Sequence, residues 1–155
     1  MKIGFVGIGN MGLPMALNLI KSSHDVVVFD QSKDALVAAQ TGGAKVATSL
    51  SEVAESRDAV ISMLPAGQHV IEVYKGQDGL FASLSTDTIL IDCSTIDVQT
   101  ARAISSEAKD RRLNMVDAPV SGGVAGAEAG TLTFMVGGEK SAVEQAKPVL
   151  RAMGK

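Results

Sequence analysis

At 155 residues the chain is long enough to bury one substantial core, and a content of 46% hydrophobic and 20% charged residues excludes a disordered segment. A net charge of -3, the absence of Trp and only 3% aromatic residues argue against a nucleic-acid surface, which needs a basic face and rings for bases to stack on. The single cysteine, Cys93, rules out an internal disulfide framework and suits a reducing compartment.

No apolar run approaches the length that spans a bilayer. The opening MKIGFVGIG has one lysine and an apolar stretch, but glycines interrupt it and it flows straight into a motif, so neither export nor a transit segment is expected, and cytosol is the simplest location.

In chain order, residues 2–7 read as a strand and 11–21 as a helix, with Met11, Met15, Leu19 and Ile20 forming its apolar stripe. A second strand is predicted over 25–30. The helix over 32–40 follows, with Ser32 as its N-cap candidate and Gly42–Gly43 at its end. A strand over 45–48 precedes Ser-x-x-Glu at Ser49 to Glu52, a capping-box pattern for a short helix to about residue 55. Strands over 59–63, 88–92 and 114–118 alternate with helices over 67–74, 98–110 and 140–153. Several of the strands are Val- and Ile-rich with little polar alternation, the pattern of strands buried on both faces of a parallel sheet. Residues 122–130 are compatible with a small-residue helix or a loop. The hydrophobic run 131–136, ending at Gly137–Gly138, is expected to pair antiparallel at a sheet edge. Together these units predict an α/β fold of Rossmann type: a doubly wound, mostly parallel sheet with helices on both faces, forming one domain over 1–155.

The first strand runs into Gly7, Ile8, Gly9, Asn10, Met11 and Gly12, a G-x-G-x-x-G pattern between strand and helix. Gly7 permits the tight turn, Gly9 lets a diphosphate approach the backbone, and Gly12 lets the helix pack on the strand. Exposed N–H groups at a helix start favour an anion. The second strand ends in Asp30, eighteen residues past Gly12. A carboxylate there accepts from ribose hydroxyls and repels a 2′-phosphate, so NAD is expected over NADP; a turn or cap role is the alternative for Asp30. No Gly-Lys-Ser/Thr follows, which disfavours a phosphate loop of the nucleotide-triphosphatase kind.

Ligands of such sheets lie beyond the carboxyl ends of strands. Met63, Leu64 and Pro65 after the fourth strand read either as a proline turn with core residues or as a wall against the adenosine. Thr95 after the fifth reads either as a hydrogen-bonding group for the nicotinamide end or, with Ser94 and Asp97, as part of a helix cap. Ser121, Gly122 and Gly123 after the sixth read either as a glycine turn or as a nest for a substrate carboxylate. Asp117 reads as a structural acid and Cys93 as a small buried residue. His24 falls in a turn. His69 opens a helix near the cofactor side, with solvent and ligand contacts equally compatible. These histidines and the cysteine make no metal-ligand spacing, so no metal is expected.

GFVGIGNMGLPMALNL, ISMLPAGQHV, LIDCSTID and DAPVSGGVAGAEAGTLTFMVGG, with the intervening YKGQDGL, resemble the β-hydroxyacid dehydrogenase family across essentially the whole chain. The resemblance implies NAD as cofactor, its diphosphate on residues 7–12, its ribose on Asp30, Leu64 and Pro65 lining the cleft, and Thr95 near the nicotinamide. It implies that Ser121, Gly122 and Gly123 hold a small hydroxy-acid substrate. The implied reaction is oxidation of 3-hydroxyisobutyrate to methylmalonate semialdehyde in valine breakdown, with reduction of tartronate or another short semialdehyde as the alternative within the family. Family members are nearly twice as long. Their catalytic lysine and their homo-oligomer contacts lie in a following helical domain, so no catalytic residue is expected in this chain and the chain alone is expected to be inactive. A stand-alone nucleotide-sensing module is the reading from a different class.

Overall fold

The structure is a computed structural model that describes residues 1–155. Its elements in order are β1 (Lys2–Val6), α1 (Gly12–Lys21), β2 (Asp25–Phe29), α2 (Lys33–Thr41), β3 (Lys45–Val46), α3 (Leu50–Ala54), β4 (Ala59–Ser62), α4 (Gly67–Lys75), α5 (Leu80–Ser83), β5 (Ile89–Asp92), α6 (Val98–Asp110), β6 (Asn114–Asp117), β7 (Val120–Ser121), α7 (Gly123–Ala129), β8 (Thr133–Phe134), β9 (Gly137–Gly138) and α8 (Lys140–Arg151). Seven strands form one sheet in the order β3-β2-β1-β4-β5-β6-β9. Every pairing in it is parallel except β6 with β9. The winding direction reverses between β1 and β4, and that reversal opens a crevice at their carboxyl ends.

Alternate residues of the central strands feed two cores. Ile3 and Phe5 of β1, Ile61 of β4 and Ile91 of β5 pack with Met15 and Leu19 of α1 and with Ala146 and Val149 of α8. Val6, Val60 and Leu90 face the other way, onto Val53 of α3, Val70 and Tyr74 of α4, and Ile104 of α6. Both faces of the sheet are therefore dry, which accounts for strands that are apolar without alternation.

The helix starts follow their caps. The Ala35 amide donates to Ser32 Oγ at 3.3 Å and the Thr100 amide to Asp97 Oδ1 at 2.8 Å. At α3 the Glu52 amide donates to Ser49 Oγ at 3.1 Å, as the capping box requires. The Glu52 carboxylate, however, reaches one residue further back, accepting from the Thr48 amide at 2.6 Å and the Thr48 hydroxyl at 2.8 Å. These bonds hold the Glu52 carboxyl below its ordinary range.

Residues 123–129 are helical, one of the two readings left open for 122–130. One expectation changes in detail. The run 131–136 does not join the main sheet: Thr133–Phe134 pairs antiparallel with Val120–Ser121 in a separate ribbon, and only Gly137–Gly138 reaches the edge of β6. The last segment of the chain runs beside β8: Lys155 donates its amide to the Leu132 carbonyl at 2.8 Å and accepts from the Phe134 amide at 2.7 Å. The short helix α5 was not anticipated. No helix is long and apolar enough to cross a membrane.

Candidate functional site

The turn out of β1 is built by backbone geometry. Gly7 has φ of +87°, a region that side chains rarely tolerate, and a Cβ there would run into the Met63 carbonyl and into Leu64 Cδ2. At Gly12 a Cβ would overlap the Gly7 carbonyl oxygen and lie 3.1 Å from Phe5 Cε1, so α1 sits on β1 only because this residue has no side chain. Gly9 is different: a Cβ there would meet nothing within 4 Å. Protein packing does not demand glycine at position 9.

The amides of the loop divide in the same way. Gly7 donates to the Phe29 carbonyl at 3.0 Å, and Ile8 to Asp30 Oδ2 at 2.8 Å. The amides of Gly9, Asn10, Met11 and Gly12 have no protein acceptor. They open α1, whose first turn carries no acidic side chain, so this end of the helix presents uncompensated donors and positive dipole. Of the six loop residues predicted to meet a diphosphate, Gly7 and Ile8 have their N–H groups spent on shaping the loop, and the other four are free to donate.

Asp30 is committed on both oxygens. Besides holding Ile8, it accepts from the Ser32 amide at 2.8 Å through Oδ1. Each carboxylate oxygen has a second lone pair, so two acceptor positions remain for a ligand.

A cavity of about 520 Å³ runs along the carboxyl ends of β1, β2 and β4. Gly7, Gly9, Asn10, Met11, Gly12, Asp30, Met63, Leu64 and Pro65 all line it, which brings together nine of the predicted cofactor residues. Val6, Phe29, Gln31, Leu50, His69, Glu72 and Val73 complete its walls. His69, Glu72 and Val73 follow the i, i+3, i+4 spacing of one helix face, a signal present in the sequence; nothing local told that this face of α4, rather than the Val70–Tyr74 face, turns to the cleft. The Nδ1 of His69 is buried without a partner, which leaves a polar atom available to a ligand.

The remaining predicted residues lie elsewhere. Ile8 is buried and lines a second cavity of about 500 Å³ on the other side of the loop, between Gly9, Asn10, Leu13 and Pro14 and the α7 residues Val124 and Glu128. This cavity places the start of α7 next to the glycine loop. Gly122 and Gly123, with φ of +135° and +62°, lead into that helix, and Ser121 is exposed at its entrance. Thr95 is exposed and lines neither cavity. Cys93 is fully buried, and burial pushes its thiol well above its ordinary value, which removes it from nucleophilic chemistry at neutral pH. Asp117 is raised by burial and by the nearby charge of Asp92.

The residues present fit a dinucleotide: an open glycine, four free amides at a helix start, spare acceptor capacity on Asp30, and a long cleft with apolar walls. Comparison with known proteins agrees. The chain is 51% identical over 153 residues to a probable 3-hydroxyisobutyrate dehydrogenase, mitochondrial, of Dictyostelium discoideum, covering 99% of this chain and 48% of that protein. It is 49% identical over 154 residues to an NAD-dependent L-serine dehydrogenase of Pseudomonas aeruginosa, covering 99% of this chain and 52% of that protein. The structure of Mycobacterium tuberculosis 3-hydroxyisobutyrate dehydrogenase with L-serine superposes with a TM-score of 0.94 at 42% identity, covering 99% of this chain and 52% of that one. The chain thus spans about half the length of these relatives. A family profile described as the NAD binding domain of 6-phosphogluconate dehydrogenase matches residues 2–155, and the chain belongs to that family of NAD-binding domains.

Proposed function

We propose that residues 1–155 form the NAD-binding domain of a dehydrogenase that oxidises a 3-hydroxy carboxylate to the corresponding semialdehyde. The observation that carries this reading is the row of four amides from Gly9 to Gly12 that have no protein acceptor, at a helix start on residues that line one cavity with Asp30. NAD, when bound, supplies the hydride acceptor. The chain supplies position and charge. The amides of Gly9 to Gly12 take the diphosphate. The spare lone pairs of Asp30 accept from the adenosine ribose hydroxyls, and its charge disfavours a 2′-phosphate. Met63, Leu64 and Pro65 shield one wall from water, and Thr95 faces the nicotinamide end. Ser121, Gly122 and Gly123 anchor the substrate carboxylate or hydroxyl, with consecutive left-handed backbone presenting N–H groups to an anion.

As the family resemblance implies, the general base that takes the hydroxyl proton comes in this reading from a following helical domain, which also forms the homo-oligomer contacts. The preferred substrate is 3-hydroxyisobutyrate, placing the enzyme in valine breakdown in the cytosol. L-serine is the second candidate: a relative named for it is about as similar, and both molecules are 3-hydroxy carboxylates that differ at C2. Calorimetric titration of this chain with NAD and NADP tests the cofactor half. Tighter binding of NAD is expected, and no binding of either would overturn the reading. Initial rates of the full-length protein on 3-hydroxyisobutyrate, L-serine and tartronate semialdehyde test the substrate half.

A further inference from the structure

Three of the five buried polar residues of this protein, Ser62, Asp92 and Ser94, lie together at the carboxyl ends of β4 and β5, next to the cleft. They belong to one directed chain of hydrogen bonds. Ser62 Oγ lies 2.7 Å from the hydroxyl of Tyr74, which is fully buried on α4. Ser62 donates to Asp92 Oδ1 at 2.8 Å, so its remaining interaction is to accept from Tyr74. The Ser94 hydroxyl donates to the same Asp92 oxygen at 2.6 Å, and the Ser94 amide does so at 3.1 Å. Ser94 Oγ in turn accepts from the Leu64 amide at 2.9 Å. A single carboxylate oxygen thus receives three donors, and every proton in the chain points toward it.

This arrangement is costly where it stands. Asp92 forms no ion pair; burial pushes its carboxyl above the ordinary value, opposed by the bonds from Ser94 and Ser62, and Asp117 stands beside it in register on β6. An apolar residue would fill the same space without burying a charge. What an apolar residue would not do is tie three separate segments to one point. Tyr74 fixes the helix whose neighbouring residues Glu72 and Val73 wall the cleft. Leu64 belongs to the β4–α4 loop that forms the adjoining wall, already pressed against Gly7. Ser94 precedes Thr95 in the β5–α6 loop.

We propose that Asp92 is the positioning residue of the cofactor cleft, its Oδ1 holding α4, the Leu64–Pro65 loop and the Ser94–Thr95 loop in one mutual geometry. The inference rests on the reading of the cleft as an NAD site. Through Asp92, the wall set by α4 and the loop that carries Thr95 cannot shift independently of one another.

The test uses this 155-residue chain and its variants Asp92→Ala, Asp92→Asn and Ser94→Ala, with two readouts. The first is NAD affinity by calorimetry. Asp92→Ala is expected to lose about tenfold or more, the scale of one charge-assisted hydrogen bond. Asp92→Asn, which keeps an oxygen where Oδ1 stands, is expected to stay within about threefold of the parent, a rescue that a requirement for charge alone does not give. The second is hydrogen exchange at the Leu64 amide, which needs no ligand. It is expected to speed up by tenfold or more in Asp92→Ala and Ser94→Ala and to stay near the parental rate in Asp92→Asn. Should Asp92→Ala fail to fold, Ser94→Ala carries both readouts, because it removes the Leu64 tether and leaves the carboxylate. Unchanged Leu64 exchange in Ala variants that fold overturns the proposal, as does an Asn variant as impaired as the Ala variant. If the parent itself binds no NAD, the cofactor reading fails, while the exchange data still decide whether Asp92 organises these loops.

Discussion

Alanine at position 9 and alanine at position 12 have opposite expected effects, although both replace a glycine of one short loop. At Gly12 the added methyl would overlap the Gly7 carbonyl oxygen and crowd Phe5 Cε1 at 3.1 Å. The oxygen belongs to backbone that is itself fixed by the Gly7 bond to Phe29, so α1 must lift from β1. Overpacking of this kind costs about 1–3 kcal/mol. For a chain of this size that is a fall in Tm of roughly 2–12 °C. At Gly9 the methyl meets nothing within 4 Å and φ is not in the left-handed region, so the substitution restricts the unfolded chain without straining the native one. A gain of about 0.4–1 kcal/mol follows, or about 1–4 °C. The same methyl, however, projects into the open space beside the free amides and holds the diphosphate off. Losing one hydrogen bond to a charged group costs about 1.5–3 kcal/mol, or a tenfold to hundredfold weaker affinity for NAD. Melting curves and calorimetry on the two variants decide the matter. A Gly9→Ala chain that is fully folded and binds NAD as the parent does would refute the placement of the diphosphate, whatever Gly12→Ala does.

Two further predictions concern titration and turnover. The Asp92 carboxyl is raised from its ordinary value of 3.8, so between that value and its folded-state pKa the native chain holds more proton than the unfolded chain, and this group's stabilising contribution is lost as pH rises. Asp92→Asn lacks that loss, so its Tm relative to the parent should climb as pH rises above the ordinary carboxyl value of 3.8; a difference that shrinks with rising pH would contradict the assignment. The chain of 155 residues should reduce no NAD with 3-hydroxyisobutyrate or L-serine while still binding the cofactor; measurable turnover in a preparation free of full-length enzyme would show that the base lies within these residues.

Much of the architecture was legible because parallel strands buried on two faces leave a recognisable mark: Val26 and Val28 feed one core and Val27 the other. The three glycines were legible through their different duties, and the structure separates them physically, turn at 7, open space at 9, close packing at 12. Less was legible wherever partners lie far apart in the chain. The bonds among Ser62, Asp92 and Ser94 join neighbouring strands across thirty residues, and local pattern shows neither the register nor the shared oxygen. The run 131–136 carried a correct hydrophobic signal, yet its partners are Val120–Ser121 and the segment at Lys155, which local pattern does not reveal. At α3 the motif was right and its geometry shifted by one residue, since the Thr48 hydroxyl offered Glu52 a second donor that the Ser49 amide alone could not match.

Asp30 shows why a simple deletion cannot test cofactor choice here. Its side chain faces the expected ribose, but it also holds the Ile8 amide, which sits next to a fully packed side chain, and the Ser32 amide at the start of α2. Asp30→Ala therefore leaves a part-buried N–H without an acceptor, at a cost of about 1–3 kcal/mol to the loop whether or not any ligand is present. Weaker NAD binding by that variant would follow from a displaced loop as readily as from a lost ribose contact. A cycle that varies both partners separates the two. The parent is expected to bind NAD about tenfold more tightly than its 2′-deoxyadenosine analogue, because the carboxylate's spare lone pairs accept from that hydroxyl. Asp30→Ala is expected to bind both weakly and alike. If the parent fails to distinguish the two ligands, or the variant still does, then Asp30 serves the loop alone and the preference for NAD must be set by other residues of the cleft, among whose polar members are Gln31 and His69.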